Sequence, residues 1–203
     1  MLNVAVLVEY HDQMLSLPPW PNQTRLGKMS SEEGVSDSRL SEAIVQNHQH
    51  NTLLWREEDQ ARRTDVPAER IVASKRRIDR LNQQRNDAVE QIDDALLSLL
   101  ENNLRATNAR LHSETPGAII DRLSILSLKI FHMAQQLDRD DADPAHIARC
   151  AEKLHRLQVQ RYQLAECLTE LLIDLQTGRA YFNAYRQFKM YNDPALNPWL
   201  RGQ

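Results

Sequence analysis

Several polar side chains that could bind a ligand stand on helical faces that are otherwise apolar. The side chains that interrupt these apolar stripes are amides, arginines and carboxylates: Asn51, Glu58, Asn82, Arg85, Asn86, Asp93 and Arg161. Arginine and asparagine bind phosphate, carboxylate or sugar groups, and carboxylates bind metals or transfer protons. The pattern therefore predicts a ligand site between helices. A buried network of ion pairs and amides that fixes helix register is the alternative explanation.

Segment 116–137 is apolar almost all round, which is typical of a helix at the centre of a bundle. Asp121 and His132 share one narrow sector of this helix, and Arg122 and Lys129 share the neighbouring sector. Because an unpaired buried ion costs several kcal/mol, we expect each pair to meet complementary groups on a definite neighbour. Residues of both signs on the other helices could supply those groups.

The stretch from His112 to Gly117 offers a possible anion site. Thr115 and Pro116 are typical of a helix start, and a helix N-terminus presents free backbone N–H groups. Gly117 has no side chain to keep an anion away, and His112 and Arg122 could assist. The alternative is that Thr115 only caps the helix and that Gly117 only permits close packing.

Metal chemistry has weaker support in the sequence. A di-iron site in a helical bundle needs Glu-x-x-His on two helices, and only Glu152–His155 matches. The carboxylates at 57–59 and 93–94 are consecutive and therefore face different directions, which disfavours a magnesium-dependent nucleotide hydrolase. We therefore assign no metal ligand, and the sequence identifies no cofactor.

Composition and charge exclude several classes of protein. The 25 basic and 28 acidic residues give a net charge of −3, which disfavours a non-specific nucleic-acid binder. No apolar run approaches the roughly 18 residues of a membrane span. The apolar start lacks a cationic flank and is soon interrupted by Glu9 and His11. We therefore expect no signal peptide and a cytoplasmic protein.

The positions of proline and glycine predict a helical chain. Both residues are absent from long stretches, and Gly178 is a C-terminal helix signal. We expect one domain with an N-terminal arm and loop (1–37), a bundle (38–178), and a C-terminal helix and tail (179–203). The predicted helices cover residues 38–63, 66–104, 115–137 and 143–178, with short helices at 3–15 and 179–191 and a loop at 16–34.

The predicted fold class is all-α: an up-and-down four-helix bundle with two long helices plus short terminal helices. At about 1.5 Å per residue, the second and fourth bundle helices would extend beyond the other two. Their apolar residues continue along that overhang, for example Leu96, Leu99 and Leu172. Either the terminal segments cover this surface, or a second copy covers it in a homodimer.

Several segments resemble a bacterial family catalogued as domain of unknown function 4254. The similar segments are Asn51–Asp59, Ile78–Asp87, Glu114–Leu126 and, as a C-terminal signature, Tyr185–Pro194. The resemblance brings no assigned reaction and no catalytic residues. It implies an association with the assembly of cell-surface polysaccharide, because family members accompany glycosyltransferases.

Three functions remain open at this point. The first is an accessory protein that binds a small anion, without a nucleic-acid partner or a membrane span. The second is an enzyme acting on a phosphorylated or sugar-nucleotide substrate, with Glu58, Asp93 or Asp121 assisted by Arg85 and Arg161. The third is a protein-interaction module that uses the overhang and the aromatic C-terminal segment.

Overall fold

A computed structural model describes residues 2–18, 20–21, 37–101, 103–188, 195–199 and 201. Within them the chain is all-α apart from one pair of two-residue strands. The elements in order are α1 (Val4–Ser16), α2 (Ser38–Ala61), α3 (Ala68–Leu100), β1 (Arg110–Leu111), α4 (Pro116–Gln135), α5 (Pro144–Gln176) and β2 (Ala180–Tyr181). The predicted loop at 16–34 lies mostly outside the described residues.

Polar caps set the start of four of the five helices. Asn3, Asp37, Thr115 and Asp143 each accept a hydrogen bond from a first-turn backbone N–H, which satisfies a group that has no partner within the helix. Proline occupies the first turn of α4 and of α5, as predicted. Helix α3 begins two residues later than predicted because Pro67 has an extended backbone, with ψ 148°.

The helices form two hairpins that meet at α4. Helices α2 and α3 make the most extensive helix pair, and α4 and α5 make the second. Helix α4 also contacts α1, α2 and α3, so it is the central helix that its apolar sequence predicts. Helix α5 packs on α4 and α1 and has no broad contact with α2 or α3 in the described chain. The all-α class is confirmed, whereas the up-and-down four-helix detail is not.

The predicted overhang is covered mainly from within the chain. Leu96 of α3 and Leu172 of α5 lie in one core with residues of α1 and with Phe182. Leu99 remains 44% exposed. Of the two explanations given for this surface, intramolecular cover therefore accounts for most of it, although the aromatic residues Tyr185 and Phe188 do not take part and are exposed.

The predicted C-terminal helix at 179–191 is wrong for the residues that can be described, which end at 188. Ala180–Tyr181 instead pairs in parallel with Arg110–Leu111. The carbonyl oxygens of residues 178, 179 and 181 accept hydrogen bonds from the N–H groups of residues 106, 110 and 112. These hydrogen bonds hold both segments in extended conformations. The first segment lies beyond the end of α3, which is at Leu100 and not at residue 104 as predicted.

Gly178 makes this crossing possible, and its substitution is the first test of the fold. Its φ of +71° is a left-handed conformation, and an added Cβ would overlap the Leu104 carbonyl oxygen. We expect Gly178→Ala to lower the free energy of unfolding by roughly 2 kcal/mol or more in urea denaturation. Exposed Gln176→Ala is the control, and equal effects of the two variants would contradict this account.

Candidate functional site

A buried carboxylate, Asp121 of α4, accepts two hydrogen bonds from α2 and forms an ion pair with an arginine of α3. Its Oδ1 accepts hydrogen bonds from Asn47 Nδ2 and Asn51 Nδ2, each at 2.9 Å. Arg85 Nε of α3 lies 3.4 Å from the same oxygen. Asp121 is 6% exposed, so these donors replace the water that its charge would otherwise require. Three helices therefore meet at one carboxylate.

Two more residues extend this group into what we call the inner polar cluster: Asn47, His48, Asn51, Arg85, Asp121 and Ser124. The Ser124 hydroxyl lies 2.8 Å from His48 Nδ1 and 3.1 Å from Asn51 Nδ2. The cluster matches the buried network of ion pairs and amides that was one explanation of the polar stripes. Arg85 alone reaches partway to the surface, with 29% of its side chain exposed.

The carboxylate of Asp93, a residue of α3, lies at the N-terminus of α4, where an external anion was predicted. Its Oδ1 accepts a 2.7 Å hydrogen bond from Gly117 N–H. A Cβ at Gly117 would lie 2.6 Å from the Val89 carbonyl oxygen and 2.8 Å from Asp93 Oδ1, so glycine is needed for this approach. Burial raises the pKa of Asp93 to about 6, although the Thr115 hydroxyl and Gly117 N–H favour its charged form.

The remaining candidates near this end of α4 also have partners in the protein. Arg122 forms an ion pair with Glu114, and His112 Nδ1 lies 2.7 Å from the Glu114 carbonyl oxygen. Asn86 donates to Gln187 Oε1 at 2.7 Å. These contacts, together with Asp93, leave the predicted anion site at 112–117 filled by the chain itself.

Arg161 lies apart from the inner polar cluster. Its Nη1 donates to Asp12 Oδ1 at 2.5 Å and to Ser127 Oγ at 3.0 Å, which ties α5 to α1 and α4. The residues proposed for an enzyme therefore do not form one site: Glu58 and Arg85 line one cleft, whereas Asp93 and Arg161 stand elsewhere.

Lys129 and His132 line a cleft between α2, α4 and α5 that the sequence analysis does not foresee. This basic cleft has a volume of about 390 Å³ and includes Trp55, Lys129, His132, Met133, Lys153, Arg156, Leu157 and Gln160. The rings of Trp55 and His132 stack with centroids 4.7 Å apart and planes 7° apart. Partial burial lowers the pKa of His132, so its neutral form is favoured.

Glu58, Asn82 and Arg85 line a second cleft of about 360 Å³, which we call the mixed cleft because it has residues of both charges. Trp55 belongs to both clefts. Arg62 forms a 2.9 Å ion pair with Glu58. Unlike the basic cleft, the mixed cleft therefore contains carboxylates that neutralise its cations.

Sequence reasoning missed a cluster of buried rings beside α4. His11 is fully buried and stacks on His48, with ring centroids 4.5 Å apart, and Trp20 also stacks on His48, with centroids 5.5 Å apart. Neither ring nitrogen of His11 has a hydrogen-bond partner in the described chain, and neither has the Tyr10 hydroxyl. A histidine on the buried face of α1 was the available signal.

In the described ranges, no three histidine, cysteine, aspartate or glutamate side chains lie close enough to hold a metal ion together. No helix there combines the length and apolar character that a membrane span requires.

Comparison with known proteins finds one family. A family model described as a protein of unknown function (DUF4254) matches residues 41–184, from the first turn of α2 to just beyond β2. The match excludes the N-terminal arm and the segment from Tyr185 to Pro194 that the sequence analysis takes as a C-terminal signature. No curated protein and no solved structure matches the chain.

Asp121 provides a test of the inner polar cluster. We expect Asp121→Ala to lower the free energy of unfolding by about 3 kcal/mol or more, because two buried amide donors and a partly buried guanidinium lose their acceptor. Asp141→Ala, which removes an exposed partner of Arg139, should change it very little. Equal effects in urea denaturation would show that the cluster does not stabilise the fold.

The pH dependence of stability provides a second test, because the buried histidines and Asp93 act in opposite directions. Burial lowers the pKa of His11 well below 6.5 and that of His48 from 6.5 to about 3. Their contribution is therefore fully present above pH 6.5 and is lost as the pH falls towards their folded pKa values. Asp93, whose pKa rises from 3.8 to about 6, contributes stability that is lost as the pH rises through about 6.

We expect His11→Phe to reduce the loss of stability between about pH 6.5 and 5 by up to about 1.4 kcal/mol per pH unit. Asp93→Asn should make that loss steeper, because it removes the opposing contribution. The exposed His155→Phe is the control and should leave the profile unchanged. Urea denaturation across this pH range measures all three, and an unaltered profile for His11→Phe would contradict a buried neutral His11.

Proposed function

The chain belongs to the DUF4254 family of proteins of unknown function, and from its own geometry we propose that it binds a small phosphorylated ligand in the basic cleft. One observation carries the proposal. Lys129, Lys153 and Arg156 converge on this cleft, and no carboxylate lines it. None of the three makes an ion pair or side-chain hydrogen bond with the described residues.

Such an arrangement attracts an anion. Three like charges around one cleft repel one another, and the chain as a whole is acidic, with a net charge of −3. Several cations elsewhere on the surface have carboxylate partners, for example Arg139 with Asp141 and Arg186 with Asp94. Phosphate groups carry the charge and the acceptor oxygens that lysine and arginine recognise.

The apolar part of the basic cleft favours an organic ligand over a free ion. Trp55, Met133 and Leu157 supply its apolar surface, and a few polar groups converge on it. Ligand sites commonly combine these two features. A phosphorylated organic molecule would place its charged group on the cations and its apolar or ring portion against Trp55.

The broader context is also part of the proposal. An anion-binding protein in the cytoplasm could act as an accessory in cell-surface polysaccharide assembly, which the family resemblance implies. Pull-down of glycosyltransferases from the native organism, compared between wild type and a variant of the basic cleft, would examine that role. A homodimer stays a prediction, which sedimentation can examine.

Inorganic pyrophosphate is a direct probe of the basic cleft. We expect it to bind the wild-type protein in isothermal titration calorimetry at low ionic strength, and to bind more weakly as salt is added. The double variant Lys153→Gln/Arg156→Gln should lose about tenfold in affinity, because two phosphate partners are removed.

The matched control is the double variant Lys75→Gln/Arg149→Gln. It removes the same total charge from two exposed residues that line neither cleft. If both double variants weaken binding equally, the overall electrostatic potential of the protein attracts the anion, and the basic cleft does not bind it specifically. If the wild-type protein does not bind pyrophosphate, the proposed function is wrong.

A further inference from the structure

The basic cleft and the mixed cleft are neighbours, because Trp55 lines both of them. The ring of Trp55 is held by its stacking on His132, so its orientation does not depend on a ligand. Trp55 lines the basic cleft on one side and the mixed cleft on the other. Their volumes of about 390 and 360 Å³ lie within the range of roughly 300–1,000 Å³ that is usual for small-molecule sites.

The two clefts differ in charge. On the mixed side, Arg62 is paired with Glu58 and Arg85 with Asp121, so its cations are already neutralised. Asp59 lines the same cleft without an ion-pair partner among the described residues. A phosphate group is therefore repelled from the mixed side and attracted to the basic side, which orients any ligand that spans Trp55.

The mixed side has the groups that recognise hydroxyls. The half-buried amide of Asn82 has no hydrogen-bond partner in the described chain, so its two donors and one acceptor are available. The Asp59 carboxylate can accept hydrogen bonds from hydroxyl groups. An amide and a carboxylate together match the donors and acceptors of a polyol. His132 covers one face of the Trp55 ring, so the C–H face of a sugar ring would pack against the opposite face.

We propose that the ligand is a phosphorylated, hydroxyl-bearing ring, with its phosphate among Lys129, Lys153 and Arg156 and its ring hydroxyls at Asn82 and Asp59 across Trp55. This inference rests on the proposed function and makes it specific. A sugar phosphate and the ribose of a nucleoside diphosphate share this chemistry, so both serve as probes.

The experiment compares inorganic pyrophosphate, glucose 1-phosphate and uridine diphosphate in calorimetric titrations of the full chain. We expect at least one of the two ring-bearing probes to bind about tenfold more tightly than pyrophosphate. Asn82→Ala should remove most of that gain and leave pyrophosphate affinity unchanged. The probe that gains more identifies the source of the ring, a hexose phosphate or a nucleotide.

Gln84→Ala, on the same helix and exposed, is the matched control and should leave all affinities unchanged. Circular dichroism melting verifies that Asn82→Ala folds, as its lack of hydrogen bonds leads us to expect. If pyrophosphate binds through Lys153 and Arg156 but neither ring-bearing probe binds more tightly, this inference is wrong and the proposed function stands. If pyrophosphate itself does not bind, the proposed function is wrong as well.

Discussion

The buried carboxylate of Asp121 is the interaction on which the rest of the structure depends. It is the point at which α2, α3 and α4 are joined by polar contacts, through Asn47, Asn51 and Arg85. The helices around this carboxylate cannot shift far, because a shift of one helix would leave the buried charge without its hydrogen-bond donors. The contact therefore sets the register between α2 and α4, and with it the stacking on His132 of Trp55, which lines both clefts.

Much of the fold follows from local chemistry, and such features could be predicted. The starts of α4 and α5 depend on a capping side chain and a following proline, which are adjacent in sequence. The inward polar stripe was equally visible, because helical spacing alone places Asn51 and Arg85 on buried faces. The C-terminal segment differs: hydrogen bonds from β1, about 70 residues earlier, override its helical pattern, and no local signal reports such a contact.

The basic cleft illustrates why a candidate site is harder to predict than a helix. Lys153 and Arg156 lie on the exposed side of α5, where charged residues are expected and carry no information about function. They line one cleft only because the packing of α5 on α4 brings them beside Lys129 and Trp55. Conversely, Thr115 and Gly117 have the chemistry of an anion site, but the Gly117 N–H already donates to the Asp93 carboxylate.

The short strand pair has a consequence for the way the hairpin of α4 and α5 is held. Strand β1 immediately precedes α4 and β2 follows α5, so the hairpin is closed by the covalent connection at one end and by hydrogen bonds at the other. Because they are joined at both ends, α4 and α5 resist separation. The spacing of α4 and α5 is thus established when the protein folds, so a ligand of the proposed kind would not bear the entropic cost of assembling its own site.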